Sequence, residues 1–278
     1  MATACVRAPS DSADDYVADL FKDVHQVRTV EGRTYTTQPV EASVGPHRFQ
    51  FPANLYFNQI GPFAGGGVVL TVMWPGLRAA PPGNYPLRSE EDGYREVSIE
   101  LRYVGSARVA DYLAPDLTGR VALPTRWGLT PYAVDRARVG RDVLETAPDW
   151  YVVRDGDGRV KTFISCDPWE YTVDGVMMEG GRLVRGSGDR VAMCWHSALD
   201  AEHGIAIEMT YPRVTLAHWR RMEAGIRRLI RTHQAQQLGV CCDQATRRDN
   251  LSRALPRVNG RLNENGASLA AYSRKEPS

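Results

Sequence analysis

Between residues 47 and 57 the chain reads HRFQFPANLYF, with Phe49, Phe51, Leu55 and Phe57 spaced for one face. Apolar residues at alternate positions mark a strand with one side buried. A little further on, GGGVVLTVMWPGL holds an apolar run between glycine and proline, which predicts a buried strand. REVSIELRYV then alternates again. Val97, Ile99, Leu101 and Tyr103 or Val104 fall on one side, charges on the other. The segment between these strands, RAAPPGNYPLRSEEDGY, contains three prolines and two glycines and predicts a long irregular loop.

The middle of the chain is mixed, and Pro115, Pro124 and Pro131 forbid one continuous helix there. Strand signals return in DWYVVRDGDGRVKTFISCD, where two β-rich runs flank DGDG, a hairpin turn. DGVMMEGGRLVRGSGD reads as a glycine-rich loop. RVAMCWHSAL and IAIEMTY follow as a second antiparallel hairpin, turning near His203 and Gly204.

TLAHWRRMEAGIRRLIRTH carries the clearest helical pattern. Leu216, Trp219, Met222, Ile226, Leu229 and Ile230 share one face, with Thr215 as N-cap. Gly225 costs this helix about 1 kcal/mol relative to alanine, so a close packing contact is expected there. Five arginines, Arg220, Arg221, Arg227, Arg228 and Arg231, lie opposite the apolar face.

These elements predict an α+β fold: antiparallel β-sheet with a C-terminal amphipathic helix packed on it, and two β-rich halves that are possible relatives. The expected organisation is a tether over 1–23, a domain over 24–238 whose two subdomains would meet near 105–140, and a loosely ordered tail over 239–278.

The 278 residues are 43% hydrophobic and 24% charged, with a net charge of +1. That balance gives no electrostatic reason for nucleic-acid binding. No stretch reaches the roughly 18 apolar residues of a membrane helix. The five cysteines, Cys5, Cys166, Cys194, Cys241 and Cys242, form no CxxC and no zinc-site spacing with histidine. In an oxidising compartment Cys166 and Cys194 can close a disulfide across two strands; in a reducing one they are two buried thiols.

A search for catalytic chemistry is largely negative. There is no G-x-S-x-G elbow, no phosphate loop and no H-E-x-x-H. DGDG at 155–158 lacks the later ligands of a calcium loop, since Arg159 and Cys166 stand in those positions. Cys194 and His196 are two apart in a strand and share a face, so a Cys/His dyad is conceivable beside the structural reading. No metal site or cofactor is predicted.

HRFQFPANLYFNQ, a strand ending in WPGL, GLTPY at mid-chain, FISCD, MCWHSAL and the helix containing LAHW together resemble the immunity lipoproteins encoded beside type VI secretion effectors, especially phospholipase effectors. The resemblance covers roughly residues 40–235. It implies a periplasmic α+β protein that binds a cognate lipase toxin and blocks it without catalysis; the paired cysteines fit it at Cys166 and Cys194. A structural lipoprotein of the cell envelope, or a hydrolase using His196, are the alternatives. On this reading MATAC is the end of a lipoprotein signal, with Cys5 carrying lipid and the following residues acting as a spacer. The expected partner-binding residues lie on two loops: Tyr85, Arg88 and Tyr94 within 78–94, and Met177, Met178 and Arg185 within 174–189.

Overall fold

The computed structural model describes residues 26–84, 89–105, 108–109 and 111–235. The tether over 1–23, Cys5, Tyr85, Arg88, Cys241, Cys242 and the tail over 239–278 lie outside the described residues.

Two hairpins come first, β1 (Val27–Val30) with β2 (Arg33–Thr36), and β3 (Pro39–Val44) with β4 (His47–Pro52). A 3-10 turn at Ala53–Leu55 leads towards β5 (Val68–Met73). Helix α1 (Glu90–Arg95) runs straight into β6 (Glu96–Tyr103). Next come β7 (Arg120–Ala122), β8 (Thr130–Val134), α2 (Arg141–Thr146), β9 (Asp149–Arg154) and β10 (Val160–Cys166). A small hairpin of β11 (Val176–Glu179) and β12 (Arg182–Arg185) precedes β13 (Met193–Asp200) and β14 (Ile205–Pro212). A 3-10 segment, Arg213–His218, then delivers the long helix α3 (Trp219–His233).

Eight strands make one antiparallel sheet in the order β5-β6-β14-β13-β10-β9-β8-β7. The period-two pattern decides which side is buried. Val97, Ile99 and Leu101 of β6 and Ile205, Ile207, Met209 and Tyr211 of β14 share a core with Met222, Ile226, Leu229 and Ile230 of α3. Ala42, Val44, Phe49 and Phe51 of the β3–β4 hairpin join that core. The end of α3 is tied to the same hairpin: the Ala235 amide donates to the Arg48 carbonyl at 2.9 Å, and the His233 ring packs on Phe51. The architecture is α+β, an antiparallel sheet carrying one C-terminal helix.

Gly225 has the close contact its position in the helix calls for. A Cβ there would stand 2.5 Å from Cδ1 of Leu77. The DGDG segment is the turn between β9 and β10; the Asp155 carboxylate accepts from the amides of Asp157 and Arg159.

Four local readings change. The α-helix starts at Trp219, not Thr215. The Thr215 hydroxyl donates to the Pro212 carbonyl at 2.8 Å, so it caps nothing, and a 3-10 turn occupies 213–218. The stretch 78–94 is not irregular throughout, because Ser89 and Asp92 form a capping box that starts α1. The glycine-rich stretch contains the β11–β12 hairpin, whose turn residues Gly180 and Gly181 have φ of 56° and 79°. The proline-broken middle supplies two short strands, β7 and β8, at the edge of the sheet.

Candidate functional site

The buried polar cluster under α3 has the composition of an active site. The side chain of His196 on β13 is fully enclosed. Its Nε2 lies 3.1 Å from Oε2 of Glu223, and its Nδ1 lies 3.1 Å from the Tyr211 hydroxyl. A carboxylate only accepts, so Nε2 carries the proton and Tyr211 donates to Nδ1. Thr162 donates to the same Oε2 at 2.9 Å, and Arg227 Nε donates to Oε1 at 2.8 Å. Burial pushes the His196 imidazolium down, against the pull of Glu223, so the ring is neutral at neutral pH. Burial pushes Glu223 up, but the hydrogen bonds it accepts from His196 and Arg227, with the Arg227 charge beside it, more than reverse this and hold it below the ordinary carboxylate range.

The side chains of this cluster, His196, Tyr211, Thr162 and Glu223, are all buried. Cys194 shares the inner face with His196, as alternation requires, but Cys194 and Cys166 stand directly opposite each other on β13 and β10 and are joined by a disulfide. A bonded sulfur supplies no thiolate. Tyr211, His196, Glu223 and Thr162 form one hydrogen-bonded chain inside the core, so the cluster joins α3 to the sheet. Among the described residues, no group of three or more His, Cys, Asp or Glu could hold a metal ion.

The two loops expected to bind a partner come together in space. Arg185 at the end of β12 pairs with Glu90 at the start of α1, and its Nη1 lies 3.5 Å from the Tyr94 hydroxyl. Tyr94 itself is buried beneath this contact and also bonds Glu90, so its ring supports the patch from within. Met177 is 48% exposed, while Met178 is partly buried against the core.

A third feature follows them in the chain, and no pattern in the sequence marks it. Arg213 follows β14 and is 2% exposed. Its guanidinium donates to the carbonyls of Asp167 at 3.0 Å, Pro168 at 2.7 Å and Thr172 at 2.9 Å, and stands 3.4 Å from the Asp174 carboxylate. The loop over 167–174, which starts at the disulfide, is therefore wrapped around one buried cation. Its ends are pinned as well. The Asp167 carboxylate accepts from the Met193 amide, and the Asp174 carboxylate accepts from the amides of Val176 and Ala192. Outward, this loop shows Trp169 at 40%, Tyr171 at 37% and Val173 at 67% exposure. The fixed planar fork of arginine is what lets one side chain satisfy several carbonyls at once.

No family model matches the chain, and no curated protein matches it. A solved structure does. An immunity protein of the Stenotrophomonas maltophilia type IV secretion system is 32% identical in sequence, with a TM-score of 0.65; the match covers 76% of this chain and 99% of that one. The chain belongs to the same family of immunity proteins. The relative serves a type IV system, where the sequence resemblance implied type VI. Among the described residues of this immunity-family chain, no helix is long and apolar enough to cross a membrane.

Proposed function

We propose that this chain protects its own cell from a secreted antibacterial toxin by binding the toxin as a protein and occluding it, without catalysis. The observation that carries this reading is the 32% identity to a secretion-system immunity protein over 99% of that protein's length. The disulfide and the buried His196 network give the rigid scaffold that occlusion needs.

The finer features follow the same reading. The site of action is the periplasm, where a Cys166–Cys194 disulfide persists, and a lipid on Cys5 would hold the protein at the membrane. The delivery system is type IV, as for the relative. The toxin class is the phospholipase that the sequence resemblance implies. The contact surface includes the patch where Glu90 and Tyr94 of α1 meet the β11–β12 hairpin, with Met177 and Arg185 outermost.

The test is protection in cells. The gene that neighbours this one in its genome, tested as the toxin gene, is expressed with export to the periplasm, with and without this chain exported alongside. Survival only when both are exported supports the reading. Killing that this chain does not relieve overturns it.

A further inference from the structure

The loop over 167–174 is built in a way that the folding of the domain alone does not require. A buried arginine on backbone carbonyls fixes the path of the chain, and the side chains this path presents are large, apolar and exposed. Trp169 is held most firmly. Its amide donates to the Asp149 carboxylate at 2.9 Å, and its ring rests on the Arg213 guanidinium at 4.2 Å. An exposed tryptophan with a pinned backbone and a stacking partner loses little freedom when something covers it. Preorganisation of this kind converts contact area into affinity.

The surroundings indicate what covers it. Trp169, Tyr171 and Val173 lie within five residues, and exposed Met177 follows four residues later on β11. Around it the charges are matched: Arg136 pairs with Glu170, and Arg190 lies 3.9 Å from Asp167. An apolar centre with a polar, charge-balanced rim is the anatomy of a protein interface. A loop that docks on an anionic bilayer shows unmatched lysine or arginine instead. Trp and Tyr are also the residue types that dominate binding energy where they fill a pocket.

We infer that the Arg213-anchored loop, through Trp169, Tyr171 and Val173, inserts into an apolar pocket of the cognate toxin and forms the centre of the inhibitory contact. This rests on the proposed function above and specifies where on the molecule it is carried out.

The test uses the full chain and the purified toxin identified by the protection experiment above, with binding measured by calorimetry. Trp169→Ala and Val173→Asp are compared with wild type and with Val27→Ser, an exposed position on β1. The expected result is nearly unchanged melting for all four proteins, at least about thirty-fold weaker binding for the two loop variants, and wild-type binding for Val27→Ser. Should Trp169→Ala melt early, Val173→Asp, whose side chain is mostly in solvent, carries the comparison alone. Tight wild-type binding with undiminished affinity in the loop variants overturns this inference and leaves the immunity reading standing. No binding by wild type overturns both. Sedimentation with phosphatidylethanolamine–phosphatidylglycerol vesicles, lost in Trp169→Ala while toxin binding is retained, would reassign the loop to lipid and also overturns the inference.

Discussion

Nε2 of His196 and Oε2 of Glu223 lie 3.1 Å apart between the sheet and α3, the imidazole wholly enclosed and the carboxylate nearly so. Both groups hold their protonation state against acid. The His196 ring stays neutral below its ordinary value of 6.5, and Glu223 stays ionised below its ordinary 4.5.

Stability should therefore fall on acidification in two stages of the same sign. Below about pH 6.5 the unfolded chain gains a proton that folded His196 refuses, which favours unfolding; below about pH 4.5 the same holds for Glu223. His233, lowered by its own burial, adds to the first stage. Chemical denaturation from pH 8 to pH 4 measures this. A His196→Gln variant should lose stability at pH 7.5 and show a shallower decline between pH 7 and pH 5. A decline as steep as wild type would remove His196 from the account.

The disulfide joins positions 28 apart and anchors the start of the 167–174 loop. For a loop of that length, reduction or Cys166→Ser/Cys194→Ser replacement is expected to cost about 3 kcal/mol. In a domain of this size that is a drop in melting temperature of roughly 6–12 °C. Calorimetry with and without reductant reads it directly, and equal melting curves would show that the bond contributes nothing to stability.

Arg213→Met keeps an unbranched side chain of similar reach but removes every donor to the carbonyls of Asp167, Pro168 and Thr172. It also leaves the Asp174 carboxylate without its buried counter-charge. A loss of about 3 kcal/mol is expected. Amide hydrogen exchange should quicken first over 167–176, before the strands of the sheet. Uniform quickening across the domain, with no excess in this loop, would assign Arg213 to the core rather than to the loop.

The sheet and its helix are legible in the sequence because burial on one side writes a period. Phe49 and Phe51, Val97, Ile99 and Leu101, and the Met222–Ile226–Ile230 stripe all occupy the faces their spacing predicts. Two misread segments still carried signals. Ser89 and Asp92 have capping-box spacing, and Gly180–Gly181 lies between β-prone runs; proline and glycine density masked both. The Arg213 loop left no such trace. Its partners are backbone carbonyls some 41–46 residues earlier, and a carbonyl has no sequence signature. Trp169 and Tyr171 are equally silent, since a large aromatic residue in a sequence reads as core until a structure shows it in solvent.

The central claim is that protection is stoichiometric binding without chemistry, and an inhibition titration tests it most directly. Toxin activity is measured while the full-length protein is added at concentrations far above the dissociation constant. The account predicts a linear fall to zero at a fixed whole-number ratio, with active, unaltered toxin recovered after denaturing separation and refolding. Complete inactivation by a small fraction of an equivalent, or a covalently changed toxin, would mean turnover and would contradict it.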